Sequence, residues 1–188
     1  MEALADSSMT KHLEHKYGSK KGMLRFLTYQ AVMNLGLYRQ FRVGNLDQDQ
    51  RLVFVCMGNI CRSPLAEVYA RKLGRVAASC GIECESGYPA DDRAIKFARR
   101  LELNLENHRT KNVRDFEFAE NDIIIGMEPR HLRLIKELNI NVSRLGLIGC
   151  WHPQSIAYIH DPFNCSIQYF NRCESIIIDS VKGMICES

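Results

Sequence analysis

The apolar pattern divides the chain into two textures. Residues 1–50 contain no proline and begin polar, "MEALADSSMTKHLEHKYGSKKG", with the first nine or so expected to be unstructured. In the stretch that follows, Leu24, Leu27, Ala31, Leu35 and Tyr38 recur at helical spacing. Met23, Phe26, Met33 and Leu37 widen that face, and Lys20, Lys21, Arg25, Arg39 and Arg42 flank it. The pattern predicts a helix whose apolar face packs on the main body or on a second copy of the chain. Docking to another protein and lying on a membrane surface are the alternatives.

From residue 51 onward, short apolar runs alternate with helical patterns. "RLVFVC" (51–56) reads as a buried strand, and "SPLAEVYARKLGRVAASC" (63–80) as a helix with Pro64 in its first turn. "GIECES" (81–86) is a second expected strand and "DDRAIKFARRLEL" (91–103) a second helix. "NDIIIGM" (121–127), "EPRHLRLIKELN" (128–139) and "SRLGLIG" (143–149) continue as strand, helix and strand. Ile167, Phe170, Ile177, Val181 and Met184 mark a C-terminal helix. This alternation predicts an α/β fold, with a parallel sheet covered on both faces and active groups at the carboxyl ends of its strands. The expected division is a helical extension over 1–50 and a catalytic domain over 51–188.

Composition narrows the function classes. A chain of 188 residues holds one sizeable core and an appendage. A formal net charge of +3 is too slight to argue for nucleic acid. The eight cysteines include no CxxC pair (Cys56 and Cys61, Cys80 and Cys84 are spaced otherwise), so no metal site is expected. No leader-like segment precedes them, which places reduced thiols in a cytoplasm. No run approaches the ~20 apolar residues that a transmembrane helix requires.

The chemistry concentrates in "VCMGNICRSPLAE". Cys56 falls at the carboxyl end of the first strand, Gly58 allows a tight turn, and Arg62 stands at the mouth of the next helix. Converging backbone N–H groups and the positive end of the helix make a cradle for a dianionic phosphate. A guanidinium supplies two donors in fixed geometry and a charge that does not titrate away. The same field favours the thiolate of Cys56, a nucleophile aimed at phosphorus.

"VCMGNICRSPLAE" resembles the signature of the low-molecular-weight protein tyrosine phosphatases nearly residue for residue. That family carries its general acid far downstream in an Asp-Pro-aromatic loop, which "HDPF" at 160–163 matches. The resemblance covers roughly residues 51–186 and implies a flavodoxin-like three-layer sandwich around a central four-stranded parallel sheet, preceded here by the helical extension. It implies a protein tyrosine phosphatase acting on aryl phosphate monoesters without a cofactor. Cys56 is the nucleophile, Arg62 binds phosphate and Asp161 is the general acid and base. Met57, Gly58, Asn59, Ile60, Cys61 and Ser63 form the phosphate loop, with Asn59 and Ser63 shaping it. Glu67, Ser86 and His108 fall where the family has a supporting hydrogen-bond network. Cys61 matches a family cysteine that pairs reversibly with the nucleophile. Phe163 and Tyr88, with Trp151 as a further candidate, would flank a substrate ring.

The segment between Ser86 and Arg93 is shorter than the family usually carries, leaving one wall of the cleft low. The implied substrate is a phosphotyrosine protein, with a bacterial tyrosine autokinase as candidate. The N-terminal helix is a candidate contact between two copies. A thioredoxin-coupled arsenate reductase shares this fold and loop, but it needs further cysteines near the third strand, and none lies between Cys84 and Cys150. A phosphoprotein-binding module that has lost turnover is the rival from another class. The presence of Cys56, Arg62 and Asp161 together argues against it.

Overall fold

In the computed structural model, residues 2–44, 46–140 and 144–186 are described. Four parallel strands form one sheet in the order β2-β1-β3-β4. β1 (Leu52–Cys56) is central, and all five of its residues are buried, as expected for a strand covered on both faces. β3 (Ile123–Gly126) pairs with it on one side and β2 (Ala77–Gly81) on the other. β4 (Arg144–Leu147) forms the edge beyond β3. Ser143, the first residue of the expected fourth strand, lies outside the described residues.

Alternate residues of β1 serve opposite layers. Leu52, Phe54 and Cys56 join a core completed by Ala66 and Ala70 of α3 (Arg62–Lys72) and by Cys173, Ile177 and Val181 of α6 (Ile167–Cys186). Val53 and Val55 face Ile135 of α5 (Pro129–Glu137) and Val113. A third cluster joins α4 (Asp92–Arg99) to α3 and α6 through Leu65, Ala94, Ala98 and Phe170. Asp91 caps α4 by accepting from Arg93 N at 2.8 Å.

The second strand is not "GIECES". The helix after the phosphate loop stops at Lys72, Gly74 takes φ +85°, and "AASCG" forms β2. Small residues that read as helix are recruited to the sheet because β1 offers a ladder and α3 packs closely above. Residues 82–86 are instead loop.

Two helices precede the sheet. α1 spans Glu2–Tyr17, so the polar opening is helical rather than unstructured. α2 spans Lys20–Asn34, and Ser19 caps it by accepting from Gly22 N at 2.9 Å. The expected apolar face divides: Leu24, Leu27 and Leu35 are 66%, 52% and 76% exposed, while Phe26 and Met33 turn to the body together with Gly22, Tyr29 and Gln30. Phe26 and Met33 pack on the main core, while Tyr29 and Gln30 touch residues 155–158. Spacing identified the helix, but the docked face is chosen by polar contacts and a close approach at Gly22 that apolar periodicity does not register. No helix among the described residues is long and apolar enough to cross a membrane.

Candidate active site

The strand order reverses direction of winding between β1 and β3, and the crevice outside that point is where this class of sheet binds ligands. Cys56 ends β1 there, and the next five residues turn back into α3. The turn is fixed from outside. Ile82 N donates to Cys56 O at 3.0 Å, Glu83 N to Met57 O at 2.9 Å and Asp91 N to Ile60 O at 2.9 Å. His108 Nε2 lies 2.7 Å from Asn59 O. In a trans peptide the carbonyl and the following N–H point opposite ways. Four outward carbonyls therefore aim the amides of Met57, Gly58, Ile60 and Cys61 into the concavity.

Asn59, not Gly58, takes the left-handed conformation, with φ +52°. Its side chain is fully engaged: Oδ1 accepts from Lys111 N at 2.9 Å, and Nδ2 donates to Ser63 Oγ at 3.0 Å and Ser79 Oγ at 2.8 Å. Ser63 Oγ, which accepts from Asn59, lies 3.0 Å from Cys56 Sγ, within reach to donate its proton to the sulfur. Asn59 N donates to the same sulfur at 3.2 Å. These donors suit a sulfur that carries negative charge.

Arg62 is 1% exposed. Its Nη2 pairs with Asp161 Oδ2, while its Nη1 donates to Ile159 O at 3.1 Å and lies 3.8 Å from Glu128 Oε1. Burial opposes the charge, but Asp161, Cys56 and Glu128 together raise the guanidinium above its ordinary value, so it stays protonated. Glu128 is itself buried; burial opposes its charge, yet His131 and Arg62 bring it down to about 2. Phe163 N donates to Asp161 Oδ1 at 3.0 Å, holding the second carboxylate oxygen.

These groups share one cleft of about 540 Å³ in which Cys56, Arg62, Asp161 and Phe163 meet. Met57, Gly58, Ile60 and Cys61 also line it, whereas Asn59 and Ser63 stand behind the loop, fully buried. Burial pushes the Cys61 thiol up, with Glu174 and Asp91 adding to the effect. Burial lowers His108, so its ring is neutral where it meets the loop.

Several expectations are corrected. Ser86 does not support the loop; it donates to Asp115 Oδ2 at 2.7 Å and accepts from Asn112 N at 2.9 Å on an exposed turn. The serine that does is Ser79 on β2, which joins Asn59 to Glu67 through a 2.5 Å donation to Oε2. Counted from Ser79, the segment leading to Arg93 takes in all of 80–92. Tyr88 lies in a neighbouring groove with Pro89 and Thr110, and it bonds Glu85 at 3.0 Å. Trp151 is buried beneath α6. Sequence reasoning also passed over Gly81: a Cβ there would meet Cys84 Sγ at 2.6 Å and Met57 O at 2.9 Å.

The model of the low molecular weight phosphotyrosine protein phosphatases matches residues 51–187. The chain belongs to that family. Among the family's curated members, the low molecular weight protein-tyrosine-phosphatase Wzb of Salmonella typhi is 30% identical over 135 residues, covering 70% of this chain and 89% of that one. The solved structure of the Erwinia amylovora tyrosine phosphatase amsI overlays with TM-score 0.65 at 27% identity, over 77% of this chain and 95% of that one. Vibrio vulnificus Wzb, solved with benzylphosphonate, gives 0.64 at 27% identity, over 74% and 99%. The family is one of phosphoric monoester hydrolases, and the match begins one residue before β1.

One buried group of this phosphatase fold has no partner. Glu174 on α6 is fully buried, and neither of its side-chain oxygens has a hydrogen-bond partner. Burial pushes it up to about 8; Arg62 opposes the shift, and Asp91 and Asp161 reinforce it. The unfolded chain releases this proton near 4.5, so the stabilisation is complete below that pH and is lost as pH rises through about 8. Glu174→Gln cannot ionise. Relative to wild type, it should gain about 3 kcal/mol between pH 5.5 and pH 8.5 in urea unfolding. A difference that does not change with pH would show that Glu174 is not the titrating group.

Proposed function

We propose that the chain hydrolyses aryl phosphate monoesters, with phosphotyrosine in proteins as the substrate class, through a phosphocysteine. The observation that carries this reading is the meeting of Cys56, Arg62 and Asp161 in one cleft at the end of the central strand. A sulfur lone pair of Cys56 forms the S–P bond as the P–O bond to the aryl group breaks. Asp161, freed from Arg62 and protonated from solvent, gives that proton to the departing phenolate. The inward amides of the loop and Arg62 hold the equatorial oxygens and the charge they accumulate. In the second step water attacks phosphorus, the Asp161 carboxylate takes its proton, and the S–P pair returns to Cys56 as phosphate leaves. Phosphate entering the cradle competes for the guanidinium, which releases Asp161 toward the leaving oxygen while Glu128 keeps Arg62 in place. Phe163, 51% exposed at the rim, flanks the substrate ring.

The reading assigns catalysis to 51–188 and treats 1–50 as an extension. It places the enzyme in a reducing cytoplasm, consistent with eight free cysteines, and keeps a bacterial tyrosine autokinase as the candidate substrate by family resemblance. Contact between two copies through α2 is supported by the exposed Leu24, Leu27 and Leu35. Sedimentation should show a dimer that Leu27→Glu dissociates; a monomer at all concentrations rules the contact out.

Cys56→Ser should abolish release of phosphate from phenyl phosphate. Asp161→Asn should lower kcat/KM by about 100-fold for phenyl phosphate and far less for 2,4-dinitrophenyl phosphate, whose leaving group needs no proton. Equal loss on both esters would remove Asp161 from the acid role.

A further inference from the structure

We infer that the N-terminal helical hairpin is a working part of the catalytic cleft: the α1–α2 turn walls it, and α2 holds the segment that delivers Asp161, with Gln30 as the principal positioning residue. This rests on the phosphatase reading of Asp161 and goes beyond it, because the hairpin lies wholly outside the family match at 51–187.

Gly18 and Ser19 line the same cleft as Cys56, Arg62 and Asp161. Gly18 sits at φ +80°, and a Cβ there would lie 2.6 Å from His160 Cδ2, so the turn is pressed against the residue that precedes Asp161. Behind it, residues 156–160 have almost no regular secondary structure of their own. Gln30 supplies what a neighbouring strand would. Its Nε2 donates to Ser155 O at 2.9 Å, and its Oε1 accepts from Ala157 N at 3.3 Å. Tyr29 stacks on Tyr158 with ring centres 5.5 Å apart.

Polar contacts continue through the Tyr158 hydroxyl to His160, the residue before the acid. That hydroxyl lies 2.7 Å from His160 Nδ1, and His160 Nε2 lies 3.3 Å from Ser19 Oγ. Burial lowers His160. Between hairpin and segment lies a cavity of about 250 Å³, lined in part by Tyr17, Phe26, Ile156 and Tyr158. Ile156 and Ile159 are buried in the main core, and on the side of the hairpin the segment is met by the polar contacts from α2.

The test uses the full chain with Gln30→Ala and with Gln30→Glu, which keeps an acceptor for Ala157 N but loses the donor to Ser155 O. Gln30→Ala should raise hydrogen exchange at the amides of Ala157 and Phe163, and Gln30→Glu at Phe163, while both leave β1 and β3 protected. Both should lower kcat/KM for phenyl phosphate by about tenfold, with less than about twofold loss for 2,4-dinitrophenyl phosphate, because the lost contact acts through the acid. Inhibition by inorganic phosphate should not change. Unchanged exchange over 155–163, or equal loss on the two esters, overturns the clamp. A wild-type protein that hydrolyses neither ester overturns the phosphatase reading instead, and the exchange measurement still decides whether the clamp exists.

Discussion

Arg62 is a permanent charge in the interior, and the rest of the site is arranged around keeping it there. Removing a guanidinium from water costs several kcal/mol unless opposite charge and hydrogen bonds replace the solvent. Here three elements supply them: Glu128 after β3, the carbonyl of Ile159 and the carboxylate of Asp161. Glu128 comes from one part of the chain and Ile159 and Asp161 from another, so Arg62 ties α3, the end of β3 and the segment before α6 to one point. The same neutralisation leaves the guanidinium donors facing the loop that begins at Cys56. A charge fixed in this way need not reorganise when a phosphoryl group arrives, which is the condition for electrostatic catalysis.

The loop is held by a complementary device. Its carbonyls are taken by Ile82, Glu83, Asp91 and His108 from outside, and its inner surface is left to amides. Asn59 provides the left-handed turn and also ties the loop to β2 through Ser79 and to residue 111. Each of these anchors is set by sheet register: β2 pairs with β1 so that Cys56 lies opposite Gly81, whose lack of a side chain lets the loop pass close behind. Fold and site are therefore a single arrangement, and a shift in register of β2 would undo the cradle.

Much of this was legible in the sequence because it is local. Cys56, the loop and Arg62 lie within one strand–turn–helix unit, and the order of strand, glycine, Ser-Pro and helix around them implies an anion site. The fold class followed from alternation of period, and the central strand from its unbroken apolar run. The position of β2 did not follow, because "AASCG" has little strand preference and is recruited by its neighbours. Choosing Ser86 over Ser79 was the same error at one remove, since only the correct strand shows which serine faces Asn59. The roles of Glu128 beside Arg62 and of Gln30 on residues 155 and 157 depend on contacts between segments far apart in the chain, and no periodicity encodes those. The outward turn of the leucine stripe on α2 has the same origin: polar contacts to a particular loop decided which face docks.

The account stands on Cys56 becoming covalently phosphorylated within the loop that Arg62 closes. Acid quench of the full-length enzyme during turnover of a radiolabelled aryl phosphate, followed by peptide mapping, reads this directly. Label should appear on the peptide containing Cys56, as an acid-stable, iodine-labile thiophosphate, and should accumulate further in Asp161→Asn as its hydrolysis slows. Turnover with no label on Cys56, or label on another residue, would contradict the account.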